Sequence, residues 1–402
     1  STSSYHFELP NKNMSIQMGD NKNAPAVNPV AAATVVAVDI GSGAPMDVAA
    51  FTNLANVDHL EFKQGDVLME ALSGGCVPNS YMIRDRTAKW NAMQEGGPEA
   101  EKQAAIGQAF FIMKEHSDCW CRACCNPAQP NLVKFWNTAG PYDRTGMGCG
   151  PCKMPDYQVY NPINNPVLTF EKGGNCDNCA QCGSLNCFVC CAKCQSHAWM
   201  HNGDVPSTYA PKKICCSTID HWEFENTPGL LDTPRPNAFA HAVVPIRGGM
   251  CTPTVNVMER DQKGNEIEFA VVQGPTFFGG CMDLCCSTKF TVSRQGDKSA
   301  DLALITKKNK DPGCMGLCVA LCTPADTYNL DFAPGHNLTP TQKAAIVGEM
   351  IHLDFLFFEA EQPLCQSDDS GCSILLCTCY CMGCLCPCKL FFPRGEGEGG
   401  SN

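Results

Sequence analysis

From about Asp58 onward the hydrophobic pattern consists of short β-type runs separated by Gly, Pro and Asn, with little helical period until late in the chain. Phe110–Met113, Leu132–Phe135, Val167–Phe170, Val255–Met258, Ile267–Val272 and Lys289–Val292 are typical of these runs. Asp261-Gln262-Lys263-Gly264-Asn265 lies between two of them and reads as a hairpin connection. Many short strands in series predict an antiparallel barrel or a sandwich. One helix is expected, near the C-terminus. Thr339 suits the N-cap, Pro340 the first helical position, and Gln342 completes a capping box. The helix then continues to Phe358 and is apolar almost all round, which requires burial in a core or a membrane. A bilayer span needs about 20 predominantly apolar residues. This stretch is shorter and carries Glu349, His352 and Asp354, so burial inside protein is expected.

The two ends differ from the middle. Residues 1–55 are polar and rich in Ala, Gly, Asn and Pro, and contain one short run, Thr34-Val35-Val36-Ala37-Val38-Asp39-Ile40. That run reads as a lone β-strand in an extended arm, and a lone strand needs a sheet edge to join. Residues 363–402 form a Cys-rich and then Gly-rich tail, in which Cys377, Cys379 and Cys381 are followed by Cys384, Cys386 and Cys388. A period of two puts each trio on one face of a strand. Cysteines on one side of one extended segment bridge each other poorly, so the trios suit cross-linking to another segment or chain, or several acyl chains facing a membrane.

Charge narrows the choice of partners. The chain has 41 Asp+Glu against 29 Lys+Arg, a net charge of -12, and its densest basic run is Lys307-Lys308-Asn309-Lys310. A nucleic-acid partner is excluded by the lack of a basic face. Cysteine is abnormal in number, with 31 in 402 residues. An odd count leaves at least one thiol unpaired or paired between chains. Cys176, Cys179, Cys187 and Cys190 make two C-x2-C pairs that suit zinc, but the same spacing suits lipidation, disulfides or free buried thiols. No Ser/His/Asp constellation, phosphate loop or HExxH motif is visible. His197, His201, His221 and His241 read as scattered through loops, and His352 as a satisfied core histidine.

Several landmarks, in order, resemble the phospholipid scramblase family. They are Cys119–Pro127 with its paired cysteines, the cluster Cys187-Phe188-Val189-Cys190-Cys191-Ala192-Lys193-Cys194, Cys251-Thr252-Pro253-Thr254-Val255, Gln273-Gly274-Pro275 with Cys281, Cys285 and Cys286, and the helix ending Leu353–Glu359. The resemblance implies a mainly β fold over residues 56–362. It would be a closed antiparallel, tubby-like barrel of about twelve strands threaded by one buried C-terminal helix, with loop insertions near 137–166 and 204–239. It also implies acylation at Cys187, Cys190, Cys191 and Cys194, the place of the family's palmitoylated cluster. The family's calcium segment aligns with Pro324–Gly335, where only Asp326 and Asp331 keep acidic side chains. Calcium takes six to eight oxygen ligands, so these two make a poor site and calcium is not expected as a cofactor.

Two functions follow. The first expectation is a non-enzymatic structural subunit of a homopolymeric assembly or filament, with the arm and the Cys-rich tail making contacts between copies. The alternative is a lipid-associated, scramblase-type protein held at a membrane by acylated cysteines.

Overall fold

The computed structural model describes residues 54–64, 79–107, 109–116, 131–137, 166–172, 195–205, 209–212, 221–224, 235, 238–261, 264–294, 296, 299–308, 326–358, 364–368 and 370–394. The expected arm strand Thr34–Ile40 and the clusters at 119–127 and 176–194 lie outside these residues.

The strands are β1 (His59–Gln64), β2 (Ser80–Asp85), β3 (Ala109–His116), β4 (Asn131–Asn137), β5 (Leu168–Lys172), β6 (His197–Asn202), β7 (Tyr209–Lys212), β8 (His221–Phe224), β9 (Ala238–Val243), β10 (Thr254–Arg260), β11 (Glu266–Gln273), β12 (Phe277–Phe278), β13 (Thr288–Ser293), β14 (Ala303–Lys307), β15 (Thr327–Phe332), β16 (Cys365–Asp368), β17 (Gly371–Cys381) and β18 (Cys384–Pro393). Twelve of them close a barrel in the order β1-β15-β14-β13-β11-β10-β9-β6-β5-β4-β3-β2, with every neighbouring pair antiparallel. Of the two architectures the strand pattern allows, the protein adopts the barrel. Asp261 and Asn265 close the β10–β11 hairpin with bonds in both directions, and Gly264 takes a φ of 85° there. The β7–β8 hairpin stands off the barrel path, within the connection between β6 and β9.

Alternation along each strand sends one face inward. Leu60 and Phe62, Tyr81 and Ile83, Phe111 and Met113, and Tyr328, Leu330 and Phe332 join one core around the C-terminal helix. That helix, the third α-helix among the described residues, spans Pro340–Leu353 and passes into a π turn at Asp354–Phe358. Its capping box forms as the sequence predicts: Thr339 Oγ1 accepts from the Gln342 amide, and the Gln342 side chain accepts from the Thr339 amide. Every residue from Lys343 to Phe358 is buried. Phe355 stacks on Phe170 of β5, Phe357 on Phe290 of β13, and Phe358 lies against Tyr328 of β15, so strands from all round the barrel touch the helix. Among the described residues no helix is long and apolar enough to cross a membrane.

Two features depart from the expected plan. A helix at Thr87–Gln103, α1, follows β2; it buries none of its residues and is kinked at Gly97 before Pro98. Its second helical neighbour, α2 (Met282–Cys285), is a single turn, and the C-terminal helix is therefore α3. The Cys-rich segment forms a second sheet: β17 pairs with β18, β16 and β12.

Candidate functional site

The calcium candidates are both occupied by cations of the protein itself. Lys307 Nζ, at the end of β14, lies 3.0 Å from Asp326 Oδ2 and 2.8 Å from Asp283 Oδ2, with its ammonium 4.0 Å from the centre of the Phe358 ring. Asp331 accepts from Arg86 Nη1 at 2.5 Å and from His59 Nδ1 at 3.0 Å. Among the described residues no group of three or more His, Cys, Asp or Glu side chains is arranged to hold a metal ion.

Glu349, His352 and Asp354 deep in the barrel are held by structural partners. Glu349 Oε2 lies 3.1 Å from His352 Nδ1, and Ser196 Oγ lies 3.0 Å from His352 Nε2. Burial pushes the Glu349 carboxyl well above the usual carboxylate range, and burial, then the Lys172 charge, pushes His352 well below the usual histidine range. A protonated Glu349 then donates to Nδ1, and Nε2–H donates to Ser196. Asp354 accepts from the hydroxyls of Tyr81 and Tyr328. Burial and the Asp326 charge raise its pKa to about 6 against the lowering effect of those two hydroxyls.

Sequence alone places His197, His201 and His241 in loops, but they sit on barrel strands. His197, Trp199 and His201 alternate along β6 and therefore share a face. His197 Nδ1 lies 2.9 Å from His241 Nε2, His241 Nδ1 lies 2.9 Å from Glu266 Oε2, and the Trp199 and His241 rings stack 5.0 Å apart. Next to them Glu171 takes Arg235 in a two-pronged contact, at 3.1 and 3.2 Å, and His201 at 2.7 Å. The Arg235 guanidinium lies 3.4 Å over the Trp199 ring. The period-two sequence His-Ala-Trp-Met-His was the available signal for this shared face.

The tail cysteines are brought together. Met382 and Gly383, at φ 48° and 82°, form a two-residue turn of the kind that joins twisted strands. It places Cys381 opposite Cys384, Cys379 opposite Cys386 and Cys377 opposite Cys388. The partner segment for one trio is thus the other trio, within one hairpin. Tyr380 fastens this hairpin to the barrel: it is fully buried, its hydroxyl donates to Gly248 O at 2.8 Å, and its ring meets Phe357 edge-on. Gly248 must be glycine, since its φ is 57° and a Cβ there would sit 1.9 Å from the Tyr380 hydroxyl. Further along β18, Leu390, Phe391 and Phe392 are about half exposed.

Residues 246–360, which begin at the turn that receives Tyr380 and include α3, match the Scramblase family's sequence model. The C-terminal part of the barrel and the helix inside it are thus similar in sequence to the Scramblase family. Over 309 residues, 76% of this chain and 70% of the relative, the chain is 20% identical to a Bos taurus protein named phospholipid scramblase 2. No solved structure matches. Neither likeness supports the homopolymeric assembly expected first.

Proposed function

We propose that this chain is a non-enzymatic, scramblase-type protein that works at a lipid surface, and that the β17–β18 hairpin makes the lipid contact. The observation that carries this reading is the run Leu390-Phe391-Phe392, at 48%, 54% and 51% exposure. Successive residues of a strand point to opposite faces. Three consecutive exposed apolar side chains therefore leave both faces of the ribbon end apolar. Phe277 of β12 and Met382 at the turn are further exposed apolar side chains, at the other end of the same sheet. Two exposed cations, Lys389 and Arg394, flank the run and complement anionic headgroups, although the chain as a whole carries a net charge of -12. Apolar insertion is accordingly the main term, at roughly 1.5–3 kcal/mol for each large side chain buried. The relative named as a phospholipid scramblase supports lipid as the partner.

The test is co-sedimentation of the full chain with phosphatidylcholine vesicles containing phosphatidylserine, alongside a fluorescent-lipid scrambling assay. Phe391→Asp with Phe392→Asp is expected to weaken vesicle binding by at least about tenfold with the melting temperature unchanged, since a tenfold loss is only about 1.4 kcal/mol. Unchanged vesicle binding overturns the assignment of the hairpin. Lipid-independent polymers abolished by the same pair of substitutions would instead favour the assembly reading.

A further inference from the structure

The C-terminal sheet brings thiols into disulfide reach without joining them. Cys365 Sγ on β16 lies 3.2 Å from Cys372 Sγ on β17, against about 2.0 Å for a bonded pair. Cys377 and Cys388 are directly opposed across β17–β18, and their thiols are hydrogen-bonded to each other. Directly opposed residues of an antiparallel pair have Cα atoms about 4.5–5.5 Å apart. Disulfides accept about 4.4–6.8 Å. Cys377 and Cys388 are therefore within disulfide reach by their register, and Cys365 and Cys372, diagonal across β16–β17, are brought there by their 3.2 Å sulfur separation. The four residues are half-buried or exposed, so a small reagent reaches them.

We propose that these four cysteines form a disulfide site within one chain, with Cys365 bonded to Cys372 and Cys377 bonded to Cys388. The two bonds clasp β16, β17 and β18 into one covalent ribbon. The oxidant is a low-molecular-weight disulfide, RSSR. One protein thiol, as thiolate, attacks RSSR to give a mixed disulfide and RS⁻, and the second protein thiol displaces the remaining RS⁻. Two electrons pass from the protein sulfurs to the oxidant, and the two protons leave on two RSH. Burial, then the hydrogen bond from Cys388, raises the Cys377 thiol to about 11. The reduced pair thus gains nothing from thiolate formation near neutral pH, which favours the bonded state at equilibrium and slows its approach. This inference stands independently of the lipid reading, though a clasped β18 would hold the Leu390–Phe392 run in place.

The experiment equilibrates the full chain in buffers of rising oxidised-to-reduced glutathione ratio, alkylates the remaining thiols and maps linked peptides by mass spectrometry. Cleavage before Asp368 separates Cys365 from Cys372, and cleavage after Tyr380 separates Cys377 from Cys388. Both linked pairs are expected to appear together in protein that still runs as a monomer on non-reducing gels. Cys388→Ser should leave Cys377 open to alkylation or capped by glutathione while the Cys365–Cys372 link persists. Cys379→Ser with Cys386→Ser should leave both links intact, which separates the proposed pairing from its neighbour. Thiols that stay alkylatable or glutathione-capped in the most oxidising buffer, or links found only between chains, overturn the proposal.

Discussion

Asp326, immediately before β15, and Asp331, near its end, lie five residues apart and turn their carboxylates to opposite sides of the barrel wall. Tyr328, Leu330 and Phe332 point into the core, and Asp326 shares their parity and meets the Tyr328 hydroxyl at 3.2 Å. Asp331 has the other parity and meets Arg86, which also holds Glu101 of α1. Five residues of strand separate them by about 16 Å at about 3.3 Å per residue. No single cation can be shared between them.

Calcium is therefore expected to leave the melting temperature of the full chain unchanged, and a calcium-dependent rise that disappears in Asp326→Asn would contradict this assignment. Lys307→Met should be damaging, because it leaves Asp283 and Asp326 buried without their shared cation. Losing one partner of such a group costs roughly 3–5 kcal/mol. Chemical denaturation of the variant measures the loss.

Acid should unfold the protein partly through Glu171. Burial alone would raise its pKa, but the His201 hydrogen bond and the Arg235 charge overcome it and hold the group at about 2. Its folded value is thus below the ordinary glutamate value of 4.5, so its contribution is fully present above pH 4.5 and is lost as pH falls toward 2. The shift corresponds to roughly 3 kcal/mol. Glu171→Gln is expected to lower stability at pH 7 and to flatten the stability profile between pH 4.5 and 2. A parallel profile for the variant would show that Glu171 does not drive acid unfolding.

Gly348 lets α3 approach the wall. A Cβ there would lie 3.1 Å from Met200 Sδ on β6. Gly348→Val is expected to destabilise by about 1–3 kcal/mol through overpacking. Combining it with Met200→Ala should recover part of the loss, giving a coupling that a double-mutant cycle reads directly. Additive losses would mean that the helix sits further from β6 than this contact requires.

The barrel strands were legible because alternation and turn residues report a local period, and α3 was legible because Thr339, Pro340 and Gln342 spell a helix start. The first long helix was not, since α1 buries no residue and so prints no apolar stripe on the sequence, and Gly96-Gly97-Pro98 interrupts it. The Lys307–Asp283 and Lys307–Asp326 pairs join residues 24 and 19 positions apart, through a barrel register that no local pattern encodes. The cysteine trios are an intermediate case. Their shared faces followed from the period of two, and Met382-Gly383 between them was the overlooked sign of a hairpin that makes each trio the other's partner.

The hairpin should be separable from the barrel by loosening Tyr380. Its hydroxyl reaches Gly248 O, and Met382 N donates to Met250 O at 2.6 Å, so the turn is held by the segment just before β10. Tyr380→Phe removes one buried hydrogen bond and leaves a carbonyl without that donor, a cost of about 1–3 kcal/mol. Gly248→Ala imposes both a positive φ and a clash with the same hydroxyl, so it should cost more. Hydrogen exchange by mass spectrometry distinguishes a local effect from a global one. Faster exchange is expected in peptides covering 371–394 in both variants, with peptides from β1 to β6 unchanged. Because β16 and β18 pair with β17 within this second sheet, the sheet should open as its own unit once Tyr380 is loosened. Uniform acceleration across the barrel would mean instead that Tyr380 is part of the core that Phe357 and α3 organise, and that hairpin and barrel unfold together.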